Sequence, residues 1–167
     1  MSHVSEAQVL QAAGWLMAAR RIYVFGRGNA EALSLLMAKR FLRYGRDVTL
    51  LSGDARSLAE GVLGMADGDV LLVYAFRRSP RAYPALVDHC RAISARVIVI
   101  SDTTGPMLIP APDLMLSSPR SMDADSFQTL TVPMAISNAI VIAAGASEEM
   151  QTLQKLETLG SLIKRFE

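Results

Sequence analysis

The chain has 167 residues, 51% of them apolar, with 17 basic and 16 acidic side chains that leave a formal charge of +1. That size fits one domain able to bury a core unaided, and the charge totals do not indicate a strongly basic face for nonspecific nucleic-acid binding. The single Cys90 excludes an intrachain disulfide and a multi-cysteine metal site and fits a reducing cytoplasm.

Met1 to Leu10 lacks the basic start and apolar core of a secretion signal. Val9 to Ala19 places Leu10, Ala13, Leu16 and Met17 on one side at helical spacing, so an opening helix is predicted at about 6–19. The first strand, Arg21 to Phe25, runs straight into Gly26-Arg27-Gly28-Asn29, and a helix follows over about Ala30 to Tyr44. Asp47 to Leu51 is the second strand, and Ala55 to Met65 the next helix. The third strand, Asp69 to Phe76, runs into Arg77-Arg78-Ser79-Pro80-Arg81, with a helix over about Pro80 to Ser94. Strands Arg96 to Ile100 and Leu114 to Leu116 complete the series. Two closing helices are predicted over about Ser126 to Ala144, kinked at Pro133, and Glu148 to Phe166. The run Met134 to Ala146 is shorter than the roughly 20 residues of a membrane span, so no membrane association is expected.

The third and fourth strands are continuous apolar runs, so both of their faces need cover. The fold class is therefore α/β: a three-layer α-β-α, doubly wound, five-stranded parallel sheet in the common order 2-1-3-4-5. One domain spans residues 1–167, with the sheet core at about 21–117 and the closing helices at about 126–166. In this order the sheet changes winding direction between its first and third strands, and open sheets of this kind take ligands there. The loops above that crevice are Gly26 to Asn29 and Arg77 to Arg81.

A strand-to-helix turn aims backbone N–H groups and the positive end of a helix dipole at a ligand. Gly26 and Gly28 leave room for oxygens to approach, and Arg27, Asn29 and the N–H groups of Ala30 and Glu31 are candidate donors. As a dinucleotide fingerprint the loop fails, because the third glycine position holds Glu31, so no NAD, FAD or other cofactor is expected. Arg77, Arg78 and Arg81, with Ser79 between them, suit a phosphate or carboxylate, since guanidinium groups pair bidentately with both. Ser52 after the second strand, and Ser101, Asp102, Thr103 and Thr104 after the fourth, are candidate rim residues for sugar hydroxyls, or else turn and cap residues. His89 and Cys90 are neighbours on one helix, so they diverge and do not form a catalytic pair. His3 lies at the chain start, and neither histidine has metal-ligand spacing; no metal is expected.

Ala19-Arg20-Arg21-Ile22-Tyr23-Val24-Phe25-Gly26-Arg27-Gly28, Ala75-Phe76-Arg77-Arg78 and Val97-Ile98-Val99-Ile100-Ser101-Asp102 resemble the first, third and fourth strands of sugar isomerase (SIS) domains. Within that family the likeness is to the sugar-phosphate-sensing domain of RpiR-type transcriptional regulators. The resemblance implies a phosphorylated sugar or sugar acid in the crevice and a homodimer or homotetramer packed through helices. Several hydroxyls usual in the family are missing: Ala30 and Ala75 stand where serines are usual, and Pro80-Arg81-Ala82-Tyr83 replaces Ser-Arg-Glu-Thr. The arginines are the candidates to compensate.

Three functions remain. A sensor would bind without turnover. An aldose-ketose isomerase would need a base, for which Glu31, Asp54, Glu60 and Asp102 are available by type; family alignment puts Gln128, which is no base, at the usual catalytic glutamate. An oligomerisation module would have lost its ligand. The sensor is favoured, with no catalytic residue assigned. The chain before Arg20 is too short for a helix-turn-helix domain, so direct DNA binding is not expected. Leu153, Leu156, Leu159 and Leu162 recur along the last helix and are expected to be core.

Overall fold

Strands whose side chains are apolar on both faces must lie inside, and the middle of the sheet obeys this. In the computed structural model, which describes residues 4–102, 104–118 and 129–167, β1 (Ile22–Gly26) and β3 (Val70–Ala75) are buried along their whole length. With β2 (Val48–Leu51), β4 (Arg96–Ser101) and β5 (Leu114–Ser117) they form one sheet in the order β2-β1-β3-β4-β5, every pair parallel. The doubly wound α/β fold expected from the sequence is the fold observed.

Side-chain alternation then sends residues to two cores. Ile22, Val24, Leu72 and Ile98 meet α1 (Glu6–Ala18), α2 (Ala30–Arg43) and α5 (Thr131–Ser147) through Leu16, Met37, Phe41 and Ile140. Tyr23, Phe25, Leu71 and Val73 meet α3 (Ala55–Val62) and α4 (Tyr83–Ala92) through Leu58, Leu86 and Val87. Each large apolar side chain so buried contributes about 1.5–3 kcal/mol. α5 is also tied to the sheet by a polar contact. Ser137 Oγ donates to the Pro133 carbonyl (2.8 Å), so Tyr74 OH donates to Ser137 Oγ (2.6 Å). Burial pushes the Tyr74 phenol well above its ordinary pKa.

The element ends differ from the sequence reading for local reasons. α1 starts behind a capping box, with Gln8 N–H donating to Ser5 Oγ (3.2 Å) and Ser5 N–H to Gln8 Oε1 (3.0 Å). α3 stops at Val62 because the chain turns there, Met65 N–H donating to the Val62 carbonyl. α4 starts at Tyr83, after a turn closed by Tyr83 N–H on the Pro80 carbonyl. Pro133 does not kink α5: it stands in the first turn, where a missing N–H costs nothing. The predicted start of that helix at Ser126 lies outside the described residues.

The leucine stripe of the last helix is not core in the single chain. α6 (Glu149–Phe166) buries only Thr152, and Leu153 is 53% exposed, Leu156 39% and Leu162 38%. The helix lies beyond α5 and meets α2's end at one edge, where the Lys155 side chain lies against Gly45. Its leucines are therefore only partly covered by the described residues.

Candidate functional site: an anion crevice between β1 and β3

Gly26 and Tyr74 are register partners on neighbouring parallel strands, so the loops leaving β1 and β3 emerge side by side. The sheet reverses its winding direction at this point. In the β1 loop the two glycines have different tasks. A Cβ on Gly26 would lie 2.6 Å from Ser34 Oγ and 2.8 Å from the Ala30 carbonyl oxygen, so this glycine lets the first turn of α2 pack onto the strand. The room beside it is occupied by the protein, not left for a ligand. Gly28 has φ of 61° and open space beside it.

The N–H groups of Ala30 and Glu31 are not available to a ligand either. They fold back onto the carbonyls of Arg27 (3.3 Å) and Gly28 (3.0 Å), because α2 opens with a tightened turn. The N–H groups of Gly28 and Asn29 carry no hydrogen bond among the described residues. Asn29 precedes α2 without capping it through its side chain. Arg27 Nη1 donates to the Gly53 carbonyl at 2.8 Å, which binds the β1 loop to the β2 loop next to exposed Ser52.

The β3 loop is held in a strained shape. Arg77 has φ of 64°, a left-handed conformation uncommon outside glycine, and Arg78 N–H donates to the Phe76 carbonyl at 2.7 Å across it. Asp102 supports this turn from below. Only 5% exposed, its Oδ2 accepts Arg77 N–H (2.9 Å) and its Oδ1 accepts Thr104 N–H (2.9 Å). Ser101 is fully buried and donates from Oγ to the Ala75 carbonyl (2.5 Å). Ser101, Asp102 and Thr104 thus fix the end of β4 to the end of β3, where the sequence offered them as rim contacts. Thr103, Gln128 and His3 lie outside the described residues. Removing the two acceptors by Asp102→Ala is expected to cost about 1–3 kcal/mol of stability, measured by chemical denaturation. A loss below about half a kcal/mol would show that the turn stands without it.

Arg77, Arg78, Ser79 and Arg81 are exposed along the same loop. Arg78 and Arg81 form no ion pair with a described residue, so their charge is free for an anion. Asp54, the nearest acid on the β2 side, is turned away from this task. It caps α3 by accepting Ser57 N–H (2.9 Å) and the Ser57 hydroxyl (2.8 Å), contacts that hold its carboxyl below the usual range. Beneath these loops a groove of about 630 Å³ opens between α3 and α4, lined by Arg27, Asp54 and Arg81 from the loops at the carboxyl ends of the strands and by His89 further along α4.

Acid-base and nucleophilic groups are poorly placed. Burial pushes the Cys90 thiol up to about 12, and its Sγ lies 3.6 Å from Met65 Sδ in the core. Tyr83, at a position where the family resemblance implies threonine, is an anchor: its ring is buried, its OH donates to the Pro110 carbonyl (2.8 Å), and burial raises its pKa to about 12. Glu60 pairs with Arg56 at 2.8 Å on the outer face of α3. Among the described residues no group of His, Cys, Asp and Glu could hold a metal ion.

No curated protein matches this chain by sequence. Solved structures with the same fold include the sugar isomerase domain of an RpiR transcription factor from Sphaerobacter thermophilus. It is 14% identical, with a TM-score of 0.84, over 95% of this chain and 88% of that one. The Vibrio vulnificus NanR protein complexed with ManNAc-6P is 12% identical with a TM-score of 0.74, over 98% of this chain and 62% of that one. Phosphoheptose isomerase GmhA from Neisseria gonorrhoeae is 16% identical with a TM-score of 0.62, over 86% of this chain and 87% of that one. At these identities the likeness is one of fold, and it spans regulators and enzymes alike. The family model for the SIS domain matches residues 16–143, more than half of the sequence and all five strands, and the chain belongs to the SIS domain family.

Proposed function

We propose that this SIS domain is a sensor that binds a phosphorylated sugar or sugar acid in the β1–β3 crevice without turning it over. The observation that carries the reading is that the loops leaving β1 and β3 side by side, where the sheet reverses, each hold a left-handed residue, Gly28 and Arg77, and carry Arg27, Arg78 and Arg81 between them. Backbone strain kept at a cationic crevice is a common device for presenting donors to an anion. Against turnover stands the chemistry of the acids. Asp102 is buried under the loop, Asp54 caps α3, and Glu60 pairs outward, so of the four candidate bases only Glu31, exposed in the first turn of α2, is left without such a task. The test is a thermal-shift screen of sugar phosphates and sugar acids on the native protein and on Arg77→Gly, followed by a turnover assay on any compound that binds.

The sensor works as a homodimer or homotetramer in a reducing cytoplasm, with the apolar side of α6 covered by another copy. Among the described residues no helix is long and apolar enough to cross a membrane. Leu153, Leu156 and Leu162, all exposed on α6, are more apolar surface than a lone chain keeps in water. Sedimentation at micromolar concentration is expected to give a dimer mass or larger, reduced to the 18.1 kDa monomer by Leu156→Arg. A native protein found only as the monomer would contradict this.

A further inference from the structure

The groove between α3 and α4 is larger than the anion crevice needs and of different chemistry. Its walls below the loops are apolar: Phe25 and Leu58 with Val62 on one side, Leu86 on the other. Alanines keep it open. Ala55 and Ala59 are four apart on α3, and Ala82 and Ala85 three apart at the start of α4, so each pair shares a helix face, and all four line the groove. Its charged lining, Arg27, Asp54 and Arg81, comes from the loops at the carboxyl ends of the strands. His89, about two helical turns further along, has its Nε2 buried with no hydrogen-bond partner among the described residues. A volume of about 630 Å³ suits a small molecule.

These features select an occupant. A bare sugar pushed between the helices would set its hydroxyls against Leu58, Val62 and Leu86 and lose water for nothing in return. An apolar body there, joined to an anionic head at Arg27 and Arg81, matches the apolar walls and the cationic end of the groove, and an acyl oxygen on that body is the group His89 Nε2 can meet. We infer that the sensed anion carries an acyl or aryl substituent, and that this substituent sits in the α3–α4 groove while the phosphate or carboxylate sits at Arg27 and Arg81. The inference rests on the anion crevice proposed above and adds the class of compound that fills it.

The experiment compares inorganic phosphate, glucose 6-phosphate and phenyl phosphate by calorimetric titration of the native protein, of Arg81→Ala and of Ala59→Phe. Ala59 is exposed on the groove wall, so a phenylalanine there fills the groove without entering the core. Phenyl phosphate is expected to bind about tenfold or more tighter than inorganic phosphate, the effect of burying one ring. Ala59→Phe is expected to erase that preference while inorganic phosphate binds as before, and Arg81→Ala to weaken every phosphate. Ala85→Phe fills the groove from the other wall if the first variant does not fold. Phenyl phosphate binding no tighter than inorganic phosphate, or a preference that survives both filled grooves, overturns the inference and leaves the crevice standing. If no phosphate binds at all, the crevice reading falls and takes the inference with it. A groove-filling variant that lowers the sedimentation mass would show the groove to be occupied by a second copy, which also overturns it.

Discussion

Gly26→Ala is expected to destabilise the protein by about 1–3 kcal/mol, with the melting temperature falling by roughly 3–10 °C. The added Cβ would meet Ser34 Oγ at 2.6 Å and the Ala30 carbonyl oxygen at 2.8 Å, and the second of these is backbone at the start of α2. Relief requires the helix to move off the strand, and the N–H groups of Gly28 and Asn29 would move with it. Ligand affinity should therefore fall together with stability. The same substitution at Gly28 meets nothing within 4 Å, so only its left-handed φ of 61° opposes it, at about 1 kcal/mol. Thermal unfolding of both variants orders the two effects. A Gly26→Ala protein as stable as the native one would show that this glycine has no packing task.

Arg77→Gly separates binding from folding. Arginine at φ of 64° is strained, and glycine adopts that conformation freely, so the strain relieved, up to about 1 kcal/mol, is expected to offset the loss of the side chain's own contacts and keep stability within about 1 kcal/mol of native. It also removes a guanidinium from the crevice. A charge-assisted hydrogen bond is worth about 1.5–3 kcal/mol, so affinity for a phosphorylated ligand should drop by roughly 10- to 150-fold. In a thermal-shift experiment, ligand at a hundred times its dissociation constant adds about 2.7 kcal/mol to the native protein, a shift of several degrees. Arg77→Gly should show little of that shift while melting close to the native temperature without ligand. A variant that loses stability and binding in proportion would show that Arg77 serves the fold.

The sheet was legible because its signals are local and redundant. Val70 to Ala75 and Val97 to Ile100 are apolar at every position, which only a covered parallel strand explains, and the order 2-1-3-4-5 then located the crevice. What the sequence concealed depends on where side chains turn. Asp102 reads as a rim acid until its two oxygens are seen under the N–H groups of Arg77 and Thr104. Gly26 reads as room for a ligand, although Ser34, eight positions along, takes the space. Tyr83 reads as a lost hydroxyl donor and is a buried anchor on Pro110. The α6 leucines carry the period of a core helix, and period alone does not tell whether the cover comes from the same chain. The groove had a signal that went unused: alanines at helical spacing on two neighbouring helices, Ala55 with Ala59 and Ala82 with Ala85.

The central claim is that the crevice binds a phosphorylated sugar or sugar acid through its arginines. Calorimetric titration of the native protein and of Arg77→Gly with a panel of sugar phosphates, sugar acids and the corresponding neutral sugars tests it most directly. The expected result is saturable binding of at least one anionic compound at one site per chain, lost with its neutral counterpart and strongly weakened in Arg77→Gly. Binding by none of the anions, or equal binding to the neutral sugar and to the variant, would contradict it.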